Sequence, residues 1–115
     1  MAFDEISVCD LDEAGFEPPV DIWEDLDAVF VKVEVPGVRP DDVVVDCDDR
    51  LLTIRGVRHV ERTSGACHRR ERAYGAFCRS FSLPEVVDGP SAVAVIAEGV
   101  LTIRIPKRGN VRRAS

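Results

Sequence analysis

The sequence predicts an all-β domain folded as an antiparallel β-sandwich, and three observations support this prediction. Hydrophobic residues make up 45% of the chain but aromatic residues only 6%, so the core must rely on Val, Leu and Ile, and Val favours strands. Short alternating segments recur along the chain and are separated by turn residues. No intervening segment has the length and period of a crossover helix, which parallel strands require.

The first predicted strands lie between Pro18 and Ile54. Pro18 and Pro19 favour extended backbone and suit an edge strand over "VDIWE". "AVFVKVEV" alternates apolar and polar side chains, and the Pro36–Gly37 turn ends it. "VVVDC" directs Val43 and Val45 toward the core, and a tight turn at 48–50 leads into "LLTIRG".

Three further strands follow a long charged connection from Val57 to Gly75, and a connection of this length in a compact domain is usually functional or mobile. "AFCRSFSL" alternates Phe77, Arg79 and Phe81 with small residues. "SAVAVIAEG" places Ala94 and Ile96 on one side, and Val93, Val95 and Ala97 on the other. "VLTIRIP" directs Leu101, Ile103 and Ile105 inward.

A chain of 115 residues fits one domain that needs no metal or disulfide to hold its core. The acidic start "MAFDEISVCD" does not resemble a signal peptide, and no apolar run is long enough to span a membrane. The four cysteines form no CxxC pair. We therefore expect a cytoplasmic protein with reduced thiols and no membrane partner.

The net charge of −6 is unevenly distributed. Residues 1–50 carry 16 acidic and 3 basic side chains, whereas residues 51–115 carry 5 acidic and 12 basic ones. A basic half can indicate a nucleic-acid partner. The two halves of a compact domain fold onto each other, however, and their fields largely cancel, so we expect no nucleic-acid partner.

No catalytic, cofactor or metal motif is present. The chain lacks a glycine-rich phosphate loop, and its two histidines, His59 and His68, both lie in the long connection, where a catalytic base would be poorly held. Cys67 adjoins His68, but two adjacent ligands without a second pair favour an ordinary loop over a metal site. Nearby arginines make Cys67 the thiol to test for reactivity. We predict no enzyme activity, no cofactor and no metal.

Taken in order, several segments resemble the small heat-shock protein family, which is built on the alpha-crystallin domain. They are "PPVDIWED", "VKVEVPGVRPDDVVVD", "LLTIRG", "HRRERAYGAFCRSFSLPE" and "AEGVLTIRIPK". The family pattern Ala–x–x–x–x–Gly–Val–Leu, followed by a strand and Pro–Lys, is present as Ala94, Gly99, Val100, Leu101, Pro106 and Lys107. The resemblance covers residues 18–107 and implies an immunoglobulin-like sandwich that acts as an ATP-independent holdase for unfolding client proteins.

The resemblance also implies a homodimer or small oligomer. In the bacterial and plant branch of the family, the long connection carries a strand that pairs with the partner's sheet edge. The swapped strand and the dimer interface are expected at Ala66, Cys67, His68, Arg69 and Arg70, with Arg79 pairing charge nearby. A client or tail groove is expected between "VVVDC" and "AVAVIA", lined by Val43, Val45, Ala94 and Ile96.

The two ends of the chain depart from the family pattern. Residues 1–17 form a short arm, and the tail 108–115 lacks the Ile–x–Ile motif that builds large oligomers. Ile103–Arg104–Ile105 resembles that motif but lies in the last predicted strand. Val44, Val93 and Val95 form a candidate exposed apolar patch, with ordinary surface valines as the alternative. An adaptor or co-chaperone module, or a structural assembly module, with the same fold remains the alternative function.

Overall fold

The computed structural model describes residues 16–48, 50–60, 64–83 and 87–108 of the chain. Within these residues, seven strands form two antiparallel sheets, which confirms the predicted all-β sandwich. The strands are β1 (Val20–Glu24), β2 (Ala28–Glu34), β3 (Val43–Cys47), β4 (Leu51–Arg58), β5 (Gly75–Ser82), β6 (Val93–Ala97) and β7 (Val100–Pro106).

The larger sheet has the strand order β1-β2-β7-β6. Its two central strands alternate buried and outward-facing residues, because successive side chains of a strand point to opposite faces. Val31 of β2 pairs with Ile103 of β7, and both are fully buried. Ile105 is buried in the same way, so the Ile103–Arg104–Ile105 sequence belongs to the core of the sheet.

The smaller sheet has the order β3-β4-β5, and its inward residues complete the core. Leu52 and Ile54 of β4 are fully buried, and Phe81 of β5 pairs with Leu52. On the opposite face, the Ser80 hydroxyl donates a hydrogen bond of 2.9 Å to the Thr53 hydroxyl, and both residues are buried.

Carboxylates hold two of the tight turns. Between β1 and β2, Asp25 Oδ1 accepts hydrogen bonds from the backbone N–H groups of Asp27 (2.7 Å) and Ala28 (2.9 Å). These two donors, that of Asp27 most strongly, hold the pKa of Asp25 below its ordinary value of 3.8. Between β3 and β4, Asp48 Oδ1 accepts from the N–H groups of Arg50 and Leu51, as expected for the predicted turn.

The connection between β4 and β5 is the longest in the fold. Its described residues, 59–60 and 64–74, contain no strand within the single chain, and residues 64–73 are exposed. The arm at 1–15 and the tail at 109–115 lie outside the described residues. No helix in the described part of the chain is long and apolar enough to cross a membrane.

The cysteines differ from the expectation of four reduced thiols. Cys47 and Cys67 form no disulfide, but Cys78 on β5 is disulfide-bonded. The sequence analysis missed this bond because spacing along the chain does not reveal which cysteines a fold brings together.

Candidate functional site

An apolar groove of about 230 Å³ lies between the two sheets at one side of the sandwich. The four residues predicted for this groove all contribute to its wall. Two further residues, Pro40 and Leu101, complete a lining without any charged side chain. The lining residues are Pro40, Val43, Val45, Ala94, Ile96 and Leu101.

Both walls of the groove are edge strands. Among the strands that the structure describes, β3 pairs only with β4, and β6 pairs only with β7. Val43 and Val45 are half-buried because they alternate with outward-facing Val44. On the facing wall, Ala94 pairs with Ile103, and Ile96 pairs with Leu101. The outer backbone N–H and C=O groups of both walls therefore remain available to a third, extended segment.

The absence of a side chain at Gly89 allows a short turn to pack against the end of β3. Gly89 opens a short 3-10 turn, Gly89–Ser91, that precedes β6. A Cβ at this position would lie 2.2 Å from the Cys47 carbonyl oxygen, well inside van der Waals contact. Only glycine lets this turn pack against the end of β3 without moving the backbone.

The hairpin between β6 and β7 explains the glycine of the family pattern, Gly99. Glu98 and Gly99 have φ values of 54° and 79°, and positive φ at both central residues is the signature of a type I′ turn. A Cβ on Gly99 would also lie 3.2 Å from Cα of Pro36. The hairpin fixes the register in which Ala94 and Leu101 reach the groove.

The sequence analysis missed Pro40 and Leu101 as groove residues. Leu101 was assigned to the core, and it is 2% exposed, so it forms the floor of the groove as well as part of the core. Pro40 lies in the 3-10 turn before β3, which the sequence showed only as a connecting turn. Predicting these two residues requires knowing which parts of the two sheets lie close together, and alternation along a strand does not provide that information.

A second open edge lies at β1, on the other side of the larger sheet. Arg79 holds the segment that leads into β1: its Nη1 donates to the Pro18 carbonyl oxygen at 2.7 Å, and its Nε lies 3.6 Å from Glu17 Oε1. The Arg79 side chain is only 15% exposed. Arg79 therefore acts on the position of the edge strand from within its own chain.

The five loop residues predicted for the dimer interface all lie at the surface of the single chain. Ala66, Cys67, His68, Arg69 and Arg70 are exposed and form no strand. Within this loop, Arg69 Nη1 is 2.9 Å from Glu71 Oε1, and the Cys67 thiol donates to the Arg69 carbonyl oxygen at 3.6 Å. The structure thus separates these five residues from Arg79, which lies in the smaller sheet.

The three valines proposed as one exposed patch do not share a surface. Val44 is 50% exposed, Val93 59% and Val95 55%. Val44 lies on β3 of the smaller sheet, whereas Val93 and Val95 lie on β6 of the larger sheet, and each points away from the core between the sheets. The predicted exposure of all three valines agrees with the structure, and Val93 with Val95 forms one outward-facing pair on β6.

Outside the groove and the open strand edges, the described polar side chains form few groupings typical of a catalytic site. Among the described residues, no group of three or more His, Cys, Asp or Glu side chains could hold a metal ion. His59 Nε2 is 3.4 Å from Asp42 Oδ1, and the His59 side chain is mostly exposed. His68 lies apart in the exposed loop.

Comparison with known proteins agrees with this architecture. The model of the Hsp20/alpha crystallin family matches residues 21–114. Small heat shock protein C4 of Rickettsia felis is 39% identical over 93 residues, which cover 79% of this chain and 57% of that protein. The chain thus spans just over half the length of this curated relative.

Two solved structures share the fold closely. Heat shock protein 16.0 from Schizosaccharomyces pombe superposes with a TM-score of 0.75 at 36% identity, covering 81% of this chain and 88% of that one. The hspA protein from Xanthomonas axonopodis superposes with a TM-score of 0.73 at 39% identity, covering 83% and 97%. Family pattern, sheet topology and these similarities together lead to one conclusion: the chain belongs to the Hsp20/alpha-crystallin family of small heat-shock proteins.

Proposed function

We propose that this protein is an ATP-independent holdase, a stress chaperone that binds unfolding proteins and suppresses their aggregation. The observation that carries the proposal is the groove at β3 and β6, which combines a lining of apolar side chains with two open strand edges. An extended segment of an unfolding client can pair its backbone with such an edge and place apolar side chains in the groove. The proposed activity involves no catalysis, cofactor, nucleic acid or membrane.

Capture of this kind needs no chemical energy. An unfolding protein exposes apolar segments, and binding them lowers the concentration of chains that can aggregate. One groove of this size holds few side chains, so a single contact is weak. Two grooves in one assembly would strengthen binding through avidity.

We further propose that two copies assemble by exchanging residues 66–70 onto the open edge of the partner's β1. Charge supports this pairing. The exposed Asp21 lies on β1, whereas the loop carries His68, Arg69 and Arg70. Such an exchange is isologous, so two open edges are covered at once. Arg79 would then act as a positioning residue for the edge that receives the strand.

The same proposal divides the chain into an arm (1–17), an alpha-crystallin domain (18–107) and a short tail (108–115) without an Ile–x–Ile motif. It also assigns the protein to the cytoplasm, where unfolding client proteins are abundant. Cell fractionation followed by immunoblotting tests the location.

A groove-filling substitution tests the holdase proposal. Ala94 lines the groove and is exposed on an edge strand, so Ala94→Arg should fill the groove without disturbing the core. Ala97 lies on the same strand but faces away from the groove, and Ala97→Arg is the matched control. The assay is light scattering of a thermolabile enzyme during heating, with apyrase present to remove ATP.

We expect Ala94→Arg to require about fivefold more chaperone for half-suppression, which corresponds to a loss of about 1 kcal/mol in client binding. Ala97→Arg should behave like the unsubstituted protein. Equal suppression by both variants would exclude the groove as the client site. No suppression by the unsubstituted protein would overturn the holdase proposal and favour the adaptor or structural assembly alternative.

A further inference from the structure

Three arginines surround one tyrosine ring where the long connection meets the sheets. The guanidinium carbon of Arg58 lies 5.2 Å from the Tyr74 ring centroid, that of Arg72 5.5 Å and that of Arg70 5.9 Å. Arg58 also lies 5.9 Å from the ring of Phe16. Each arginine gains a cation–π contact, but the three positive charges repel one another.

Arg58 is the innermost of the three. It ends β4 and is only 9% exposed. Its Nε is buried and has no hydrogen-bond partner in the described structure. A buried, charged N–H group without an acceptor is costly, and an acceptor that reached Arg58 Nε would remove that cost.

The three arginines also lack the carboxylate partners that other arginines in this fold have. Arg39, Arg55, Arg69 and Arg79 each lie within 4.0 Å of an Asp or Glu oxygen. Within the described residues, no such contact exists for Arg58, Arg70 or Arg72. Three arginines without such a contact therefore meet at one tyrosine ring.

The turn opposite this cluster presents no side chain to the arginines, because it is formed by Gly37, whose φ of 82° favours glycine. A Cβ on Gly37 would lie 3.5 Å from Arg58 Nε and 3.8 Å from Arg72 Nη2. Donor groups of both guanidiniums therefore lie beside the same turn.

We propose that Arg58 and Arg72, with Arg70 beside them, form a binding site for a doubly charged oxyanion of the phosphate class. Guanidinium groups match the oxygens of phosphate in a fork of two parallel hydrogen bonds. Two negative charges suit three converging cations better than the single charge of a carboxylate does. The bound group is either free phosphate or a phosphate monoester carried on a small molecule.

This site stands apart from the proposed holdase activity. It lies at Gly37 and Tyr74, whereas the groove lies at β3 and β6, and no residue is shared. Arg58 and Arg72 lie outside residues 66–70, the segment proposed to exchange between copies, whereas Arg70 lies within it. The test therefore rests on Arg58 and Arg72, and its failure leaves the holdase proposal intact.

The test uses the full chain at pH 7.5 with thermal melting and isothermal titration calorimetry. The probes are inorganic phosphate and O-phosphoserine, with acetate and chloride at matched ionic strength as controls. We expect saturating phosphate to raise the melting temperature by about 3 °C over chloride. Arg72→Gln and Arg58→Gln should each weaken binding about tenfold. The matched control Arg69→Gln, in the same loop but paired with Glu71, should change the affinity less than twofold.

Tight binding of O-phosphoserine supports the proposal and points to a monoester, whereas binding of inorganic phosphate alone supports it and points to the free ion. If Arg58→Gln does not fold, Arg72→Gln alone provides the test, because Arg72 is exposed. Stabilisation equal to that by chloride or acetate overturns the proposal. Phosphate affinity unchanged in Arg72→Gln also overturns it, because the anion would then bind elsewhere.

Discussion

Gly56 in the middle of β4 provides the sharpest test of how the sheets and the turn before β3 fit together. A Cβ on Gly56 would lie 2.4 Å from the Asp42 carbonyl oxygen and 2.6 Å from Cζ of Phe77, its cross-strand neighbour. Because the first contact is with backbone, a rotamer change of Phe77 alone does not relieve it. Gly56→Ala must displace the 3-10 turn Pro40–Asp42.

The size of the effect follows from these contacts. Overpacking a core lowers the free energy of unfolding by about 1–3 kcal/mol. Because Gly56→Ala would clash with both backbone and a buried ring, we expect a loss of about 3 kcal/mol. Unfolding entropy is about 2.1 cal/mol/K per residue, so for an ordered domain of this size the melting temperature should fall by about 10–15 °C.

Thermal unfolding followed by circular dichroism measures this shift. Gly65→Ala is the matched control, because it makes the same change in the unfolded chain and no atom lies within 4 Å of its Cβ position. We expect the control to melt within about 4 °C of the unsubstituted protein, allowing for the positive φ of Gly65. Similar melting temperatures for the two variants would refute the packing of β4 against the turn described here.

Three further predictions concern charge. Asp25 has a lowered pKa, so its stabilising effect is present above pH 3.8 and disappears as the pH falls through its folded-state pKa. Asp25→Asn should therefore lower the melting temperature at pH 7. Below that range, the melting temperatures of the variant and the unsubstituted protein should converge. Glu24→Gln should destabilise by about 1–2 kcal/mol in urea unfolding, because it removes the carboxylate 2.5 Å from Lys107, whose side chain is 8% exposed. The exposed control Asp46→Asn should cost less than about 0.5 kcal/mol, and equal costs would contradict the burial argument. Arg79→Lys keeps the charge but loses the guanidinium contacts that hold the segment leading into β1. The dissociation constant of the proposed dimer, measured by sedimentation, should therefore rise about tenfold. An unchanged dissociation constant would count against a positioning role for Arg79.

Alternation along the chain predicted the strands well because it is a local property. A residue that alternates with polar neighbours, such as Val33 or Ile103, has only one face on which it can be buried, and both are buried. The turns were also predictable, because Asp48 and Gly99 provide turn geometry within a few residues. These features need no knowledge of which sheet faces which.

Contacts between distant segments could not be predicted in the same way. The resemblance to the family identified the groove residues on β3 and β6, but Pro40 at the groove depends on how the two sheets face each other. The cluster at Tyr74 joins the end of β4 to the end of the long connection, which appeared in the sequence only as a run of alternating charges. Long-range packing, rather than periodicity along the chain, determines both the position of Pro40 at the groove and the cluster at Tyr74.

Direct isolation of a chaperone–client complex tests the central claim most directly. The protein is heated with an equimolar thermolabile enzyme without ATP, and the soluble fraction is analysed by size-exclusion chromatography with light scattering. We expect both proteins to elute together in a soluble complex larger than either alone. Recovery of the free protein in solution, with the enzyme entirely in the pellet, would contradict the claim that the open edges and groove hold unfolding proteins.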